Sequence, residues 1–382
     1  MLPRGFLPLS ALLVGLLFLT SCGESGDALE FSSELTEDEL KLGDVLKDGD
    51  SAGPEFSDED RTKALAAARE RDASTIHFFA SGLGQPFNSV QARLFDSFLK
   101  QRGGPPVRTY DSQDVARHQL AELEAAIEAG ALGIVLCPVE TEILRDAVKL
   151  AIDKSIPVLI LGASADQLKG TANLSIDHRS IGEMAANFVV ERLKVRAEMQ
   201  GDTELKGRII ELTGTEDLTT AAGRLRSEGF WSVVDQNPGV RVVHQAPGLW
   251  KPLPGGARVL EAIEIQEDTD VIFAHNDAMA YGAYIALRNR GKESAFLIVG
   301  VDGVGGPEGG ISKVREQMLA ATIAVPTLAR EAADVILALV EGNSVPTPSL
   351  PEPELVSIAN STEMYTRHLT LPFGIEPKVD EE

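Results

Sequence analysis

Val271-Ile272-Phe273-Ala274-His275-Asn276-Asp277-Ala278-Met279-Ala280-Tyr281-Gly282-Ala283 joins two kinds of periodicity in one short stretch. Its first four residues are an unbroken apolar run, the pattern of a strand buried on both faces. Asn276 and Asp277 follow, residue types whose side-chain oxygens accept hydrogen bonds from the first turn of a helix, and that capping role falls chiefly on Asp277. From 278 to 290 the pattern becomes helical. A strand that passes into a helix through a polar pair is the repeating unit of parallel α/β sheets.

The same unit recurs on both sides of this stretch. Apolar runs of strand length occupy 75–80, 133–137, 157–161, 208–212 and 296–301, and helical patterns lie between them at 89–102, 114–128, 142–154, 181–196 and 219–234. At 382 residues the chain is too long for one small core, so the series divides into two doubly wound parallel-sheet lobes of the α/β class. Past Asn343 the chain turns Pro-rich. A return strand is expected over 354–358, and 361–382 reads as a C-terminal extension ending in Lys378-Val379-Asp380-Glu381-Glu382.

The other end carries a targeting signal. Arg4 gives a positive start, 6–19 is almost wholly apolar, and Leu19-Thr20-Ser21-Cys22 closes the run. That length is short for a membrane span and right for a secretory signal. Residues 23–73 are an acidic tether, with short helices expected over 37–46 and from Ser57 towards Arg71.

Composition narrows the function. A hydrophobic fraction of 43% is ample for a globular fold, and a formal charge of −23 would repel a phosphate backbone, which argues against nucleic acid. Cys137 lies in the apolar run Gly133-Ile134-Val135-Leu136-Cys137-Pro138 and reads as a small buried hydrophobe rather than a nucleophile. No nucleophile elbow, His-Glu-x-x-His, phosphate loop or Cys/His metal cluster occurs. The six histidines, His77, His118, His178, His244, His275 and His368, are scattered, as structural or surface histidines are. Catalysis is not expected, and no cofactor or metal is implied.

In doubly wound sheets ligands bind beyond the carboxyl ends of the strands. After the first run stand Ser81, Gln85 and Phe87; further on come Arg224 and Arg226, Trp250, Asn276-Asp277 and Asp302-Gly303. Aromatic plates with a guanidinium, an amide and a carboxylate suit a neutral, hydroxyl-rich ligand. Taken singly each has a plainer reading: a helix cap for Asn276-Asp277, a turn for Asp302-Gly303, a surface ion pair for Arg226, a core side chain for Trp250.

At these residues the chain resembles the type I periplasmic binding proteins, in their ribose- and galactose-binding branch. The stretch at 271–283 is similar to that branch's Asn-Asp-x-Met-Ala-x-Gly motif, and Ile298-Val299-Gly300-Val301-Asp302-Gly303 to its Val-Gly-x-Asp-Gly strand. Leu319-Ala320-Ala321-Thr322-Ile323-Ala324 resembles the segment that recrosses between lobes, and Arg226-Ser227-Glu228-Gly229-Phe230 and Gln85-Pro86-Phe87 match further family positions. Leu19-Thr20-Ser21-Cys22 resembles the lipobox of bacterial lipoproteins, which implies acylation of Cys22 and leaves Cys137 without a disulfide partner.

The resemblance implies an N-terminal lobe of 74–174 plus 326–348 and a C-terminal lobe of 175–325 plus 349–360, joined by three crossings. It implies Phe87 and Trp250 as stacking groups, Arg226, Asn276 and Asp302 as partners of hydroxyls, and Ser81 and Gln85 on the first lobe's rim. Two departures stand out: Gly162 and Ala163 where ribose-type members carry an Asp-Arg pair, and Val325 where they carry a Gln. The function implied is a lipid-anchored, extracytoplasmic monomer that traps a small sugar or polyol and presents it to the permease subunits of an ABC importer. The alternative is a co-receptor of the same fold whose closed form docks on a sensor ectodomain. Sugar-responsive repressors share this lobe pair, but here a signal stands where their helix-turn-helix would be.

Overall fold

The computed structural model describes residues 73–370, apart from positions 217, 219, 267, 346 and 347. The stretches read as a signal and a tether, with Cys22 between them, and the end of the chain from 371 lie outside the described residues.

Two sheets organise the rest. The first has the order β2-β1-β3-β4-β5 and is parallel throughout. Its strands are β1 (Ile76–Ala80), β2 (Val107–Asp111), β3 (Gly133–Leu136), β4 (Val158–Leu161) and β5 (Ala172–Leu174). Three helices connect them, α1 (Pro86–Gln101), α2 (Ala116–Ala129) and α3 (Thr141–Asp153). Pro86 opens α1, where a fixed φ and a missing N–H cost nothing, and Gly130 closes α2 with a left-handed φ of 79°.

The second sheet has the order β11-β10-β9-β8-β6-β7. It comprises β6 (Gly207–Thr213), β7 (Val240–Pro247), β8 (Val271–Ala274), β9 (Leu297–Asp302), β10 (Ala321–Ala324) and β11 (Glu354–Ser357), of which only β11 runs antiparallel. It carries α4 (His178–Gln200), α5 (Ala221–Val234), α6 (Pro252–Ile265), α7 (Asp277–Arg288), the short α8 (Gly310–Arg315) and α10 (Ser361–Thr370). Between β10 and β11 the chain returns to the first sheet as α9 (Ala329–Val340), which packs on α1, β3 and β4.

Alternation along each buried strand feeds two cores per sheet. Ile76, Phe78, Val135 and Leu159 point to α1 and α9, while Phe79, Ile134, Leu136 and Ile160 point to α2 and α3. In the second sheet Ile209, Val271, Phe273 and Val299 meet α4 and α5, and Ile210, Leu212, Ile272 and Ile298 meet α6 and α7. Covering on both faces is why these strands read as continuous apolar runs.

All six apolar runs are strands, within a residue or two of the expected bounds. β2, β5, β7, α6, α8 and α9 are not legible in the pattern, and β10 is marked only by the resemblance at 319–324. Residues 361–370, expected as part of an extension, form α10 and pack on α8.

Candidate functional site

The carboxyl ends of β1, β3, β4, β6, β8 and β9 deliver Ser81, Cys137, Gly162, Thr215, Asn276 and Asp302 to the wall of one cavity of about 350 Å³. Gln85, Phe87, Arg226 and Trp250 complete the set of seven sequence candidates, all of which line it. The crossings between the sheets, through His178 on one side and Val325 to Leu328 on another, form its floor.

Arg226 is not a surface residue. It sits on α5 with 5% of its area exposed and donates from Nη1 to the backbone carbonyl of His275. Its Nε is buried without a partner among the described residues. Burial lowers its pKa, against the pull of Asp302 and then Asp277. Arg224, two residues earlier, is an exposed partner of Glu228 at 2.8 Å.

Asp302 ends β9 in an unusual backbone conformation, φ 118°. Burial pushes its carboxyl up to about 7, although the Arg226 guanidinium pulls the other way. Asp277 is raised well above the ordinary carboxylate range by burial and then by Asp302, and it accepts the Gly303 N–H at 2.8 Å. The partly exposed Asp302 stands near the Arg226 guanidinium, with the buried Asp277 behind it, and a carboxyl raised to about 7 can accept or donate near neutral pH.

The cap expected chiefly from Asp277 comes from Asn276. Its Oδ1 accepts the Met279 N–H at 2.9 Å and its Nδ2 donates to the Trp250 carbonyl at 3.1 Å. The second hydrogen of that amide has no partner among the described residues. Behind this wall the fully buried Glu211 accepts from Ser227 (2.6 Å), Trp231 (2.7 Å) and Gln245 (2.9 Å), and lies 2.9 Å from His275 Nε2. Burial alone would raise that carboxyl, but bonds from His275, Ser227 and Trp231 outweigh it and hold it low.

On the first lobe, Ser81 Oγ accepts from Asn88 at 3.0 Å. Gln85 Nε2 donates to the Asp114 carboxylate at 3.0 and 3.2 Å. Asp114 lines the cavity and burial raises its pKa. Cys137, partly buried, donates to Gln91 Oε1 at 3.4 Å, and burial pushes its thiol up to about 12, so it stays a neutral thiol.

The sequence pattern of the periplasmic binding protein domain matches residues 76–344, from β1 through α9. The chain belongs to that family.

Its relatives include the ribose import binding protein of Bacillus subtilis (strain 168), 29% identical over 268 residues, 69% of this chain and 81% of the relative. The ribose import binding protein of Haemophilus influenzae is 31% identical over 252 residues, 65% of this chain and 79% of the relative. Among solved structures, an ABC transporter solute binding protein from Bacillus halodurans with bound myo-inositol superposes with a TM-score of 0.68 at 21% identity, covering 78% of this chain and 99% of that one.

Within this family frame the departures take physical form. Gly162 faces the cavity with a left-handed φ of 94° and open space where a side chain would project. Ala163 is buried in the first lobe's core, away from the cavity. Val325 gives the floor an apolar side chain.

Among the cavity residues that the sequence pattern did not single out are Asp114 and His178. Asp114 follows β2, a strand without an apolar run, so nothing marked it as a strand-end residue. His178 opens α4 after the three-residue β5, a strand too short to mark the residues behind it as strand-end positions. It lines the cavity, and burial followed by the nearby Arg226 lowers its pKa to about 3, so it stays neutral.

Proposed function

We propose that this chain is an extracytoplasmic solute-binding protein that traps a small sugar or polyol between its lobes and presents it to an ABC importer. The observation that carries the reading is the convergence of Phe87 from the first lobe with Trp250, Arg226 and Asp302 from the second on one cavity of about 350 Å³. The aromatic rings offer apolar plates to a sugar ring, and the buried Arg226 with the partly exposed Asp302 offers donors and acceptors to its hydroxyls. The family relatives named as ribose import binding proteins support both the substrate class and the transport role. Because contacts come from both lobes, a ligand favours the closed arrangement by its differential affinity for it.

With Gly162 and Val325 in the cavity, fewer polar groups face the ligand than the ribose-type pattern supplies, so the preferred solute presents an apolar face or lacks a hydroxyl there. Cys22 is proposed as the lipid-bearing residue that holds the monomer at the membrane, with 23–73 as its tether.

A thermal-shift screen of pentoses, hexoses, deoxy sugars, inositols, uronic acids and amino acids tests this. A ligand at 100 times its Kd adds about 2.7 kcal/mol, a visible rise in Tm. The rise should come from one neutral polyhydroxy class and fall away in Asp302→Asn and Phe87→Ala. These variants are cleaner than Asn276→Ala, which also removes a helix cap. If only amino acids or nothing shifts the Tm, the sugar reading is wrong.

A further inference from the structure

A second cavity, of about 560 Å³, lies on the other side of the hinge. Asp302 and the segment Val325 to Leu328 line both cavities, so this segment is the wall between them. The rear groove takes one side from α1 through Val90, Leu94 and Phe98, and the other from Val304 and Pro307 after β9. Arg93 and Arg330 stand at its edge. The Arg330 guanidinium lies over the Phe98 ring at 4.6 Å, and Arg93 is exposed and enters no ion pair among the described residues. Glu331 and Glu352 also line the groove, while Glu354 is taken by Arg367 at 2.8 Å.

We propose that this groove is the docking site of the chain's own last twelve residues, Leu371-Pro372-Phe373-Gly374-Ile375-Glu376-Pro377-Lys378-Val379-Asp380-Glu381-Glu382. Position is the first argument. Arg367 and His368, in the final turn of α10, line the groove, so the chain leaves α10 at its mouth. Twelve residues reach up to about 40 Å when extended. Chemistry is the second. Leu371, Pro372, Phe373 and Ile375 match an apolar trough, and Asp380, Glu381 and Glu382 match the arginines at its edge. The tail then fills the space behind the same hinge segment whose front face closes the ligand cavity.

Trypsin cleavage after Lys378 in the full chain, followed by mass as release of 379–382, tests the docking. Cleavage of a docked segment tracks the population of its released form. The wild-type chain should be cut slowly. Phe373→Asp and Arg93→Glu should each speed the cut by about tenfold, the equivalent of about 1.4 kcal/mol of docking. Neutralising Asp380, Glu381 and Glu382 to Asn, Gln and Gln should do the same, and adding Arg93→Glu to it should gain little, since both remove one interaction. Arg93 is exposed, so its variant keeps the fold. Hydrogen exchange over Val90 to Phe98 should quicken in the Phe373 variant. Equal cleavage rates in all these proteins would overturn the proposal, and so would protection that grows with protein concentration, which would place the tail of a second copy in the groove.

Discussion

Three titratable groups at or just behind the cavity wall act on stability in opposite senses. The Asp302 carboxyl, raised by burial to about 7, binds a proton more tightly in the folded chain than in the unfolded one, so it makes stability fall as pH rises from about 4 to about 7. Asp277, raised with it, acts in the same sense. His178, lowered by burial to about 3, does the reverse: stability rises as pH climbs from about 3 to about 6.5. Each full slope is about 1.4 kcal/mol per pH unit. Between pH 4 and 6.5 the histidine offsets only part of the effect of the carboxyls, and the variants should separate them. His178→Asn should make the ligand-free Tm fall more steeply with pH in that window, whereas Asp302→Asn should make it fall less or rise. Parallel Tm–pH curves for wild type and both variants would show that these groups are not the ones in play. Of these three, Asp302 and Asp277 were readable from sequence because each follows an apolar run. His178 follows a strand of three residues, and its burial comes from the fold around it.

At the scale of elements, the positions that read as breaks are often places of closest approach. α6 begins Pro-Leu-Pro-Gly-Gly, which has the look of a loop, yet Gly255 and Gly256 lie against the backbone of α7 at Met279 and Gly282. Edge strands hide for another reason. β2 carries Arg108 and Thr109 on exposed positions, so it lacks the apolar run that marked the central strands. The contact that positions the site is α4 on α5. A Cβ at Gly182 would collide with the Arg226 carbonyl, and one at Gly229 with the carbonyl of Arg179. Gly182→Ala must therefore push the helices apart, at about 1–3 kcal/mol, and shift Arg226 relative to Asp302. It should lower the Tm and weaken ligand binding together. Gly84→Ala, with nothing near its Cβ and an ordinary φ, should do neither. A Gly182→Ala chain with unchanged Tm would contradict the close packing.

In the whole molecule the two sheets exchange segments. The chain crosses after β5, returns after β10 to add α9 to the first lobe, and crosses again to add β11 and α10 to the second. The number of crossings came from resemblance, since no local pattern shows which sheet a helix will cover. α9 supplies Ala329, Ala332, Ala333, Val335 and Ile336 to the core on one face of the first sheet. A chain stopped after Ala324 should expose that face, bind a hydrophobic dye and lose cooperative melting; retained cooperative melting would show that the first lobe stands without α9. The same connectivity sets a timetable during synthesis. The ribosome completes the first sheet at Leu174 but does not deliver its covering helix until Val340. At about 5–20 residues per second, that leaves the nascent half-lobe unfinished for on the order of 10–30 s, a window in which a holdase or an export factor can keep the polypeptide from committing to a fold.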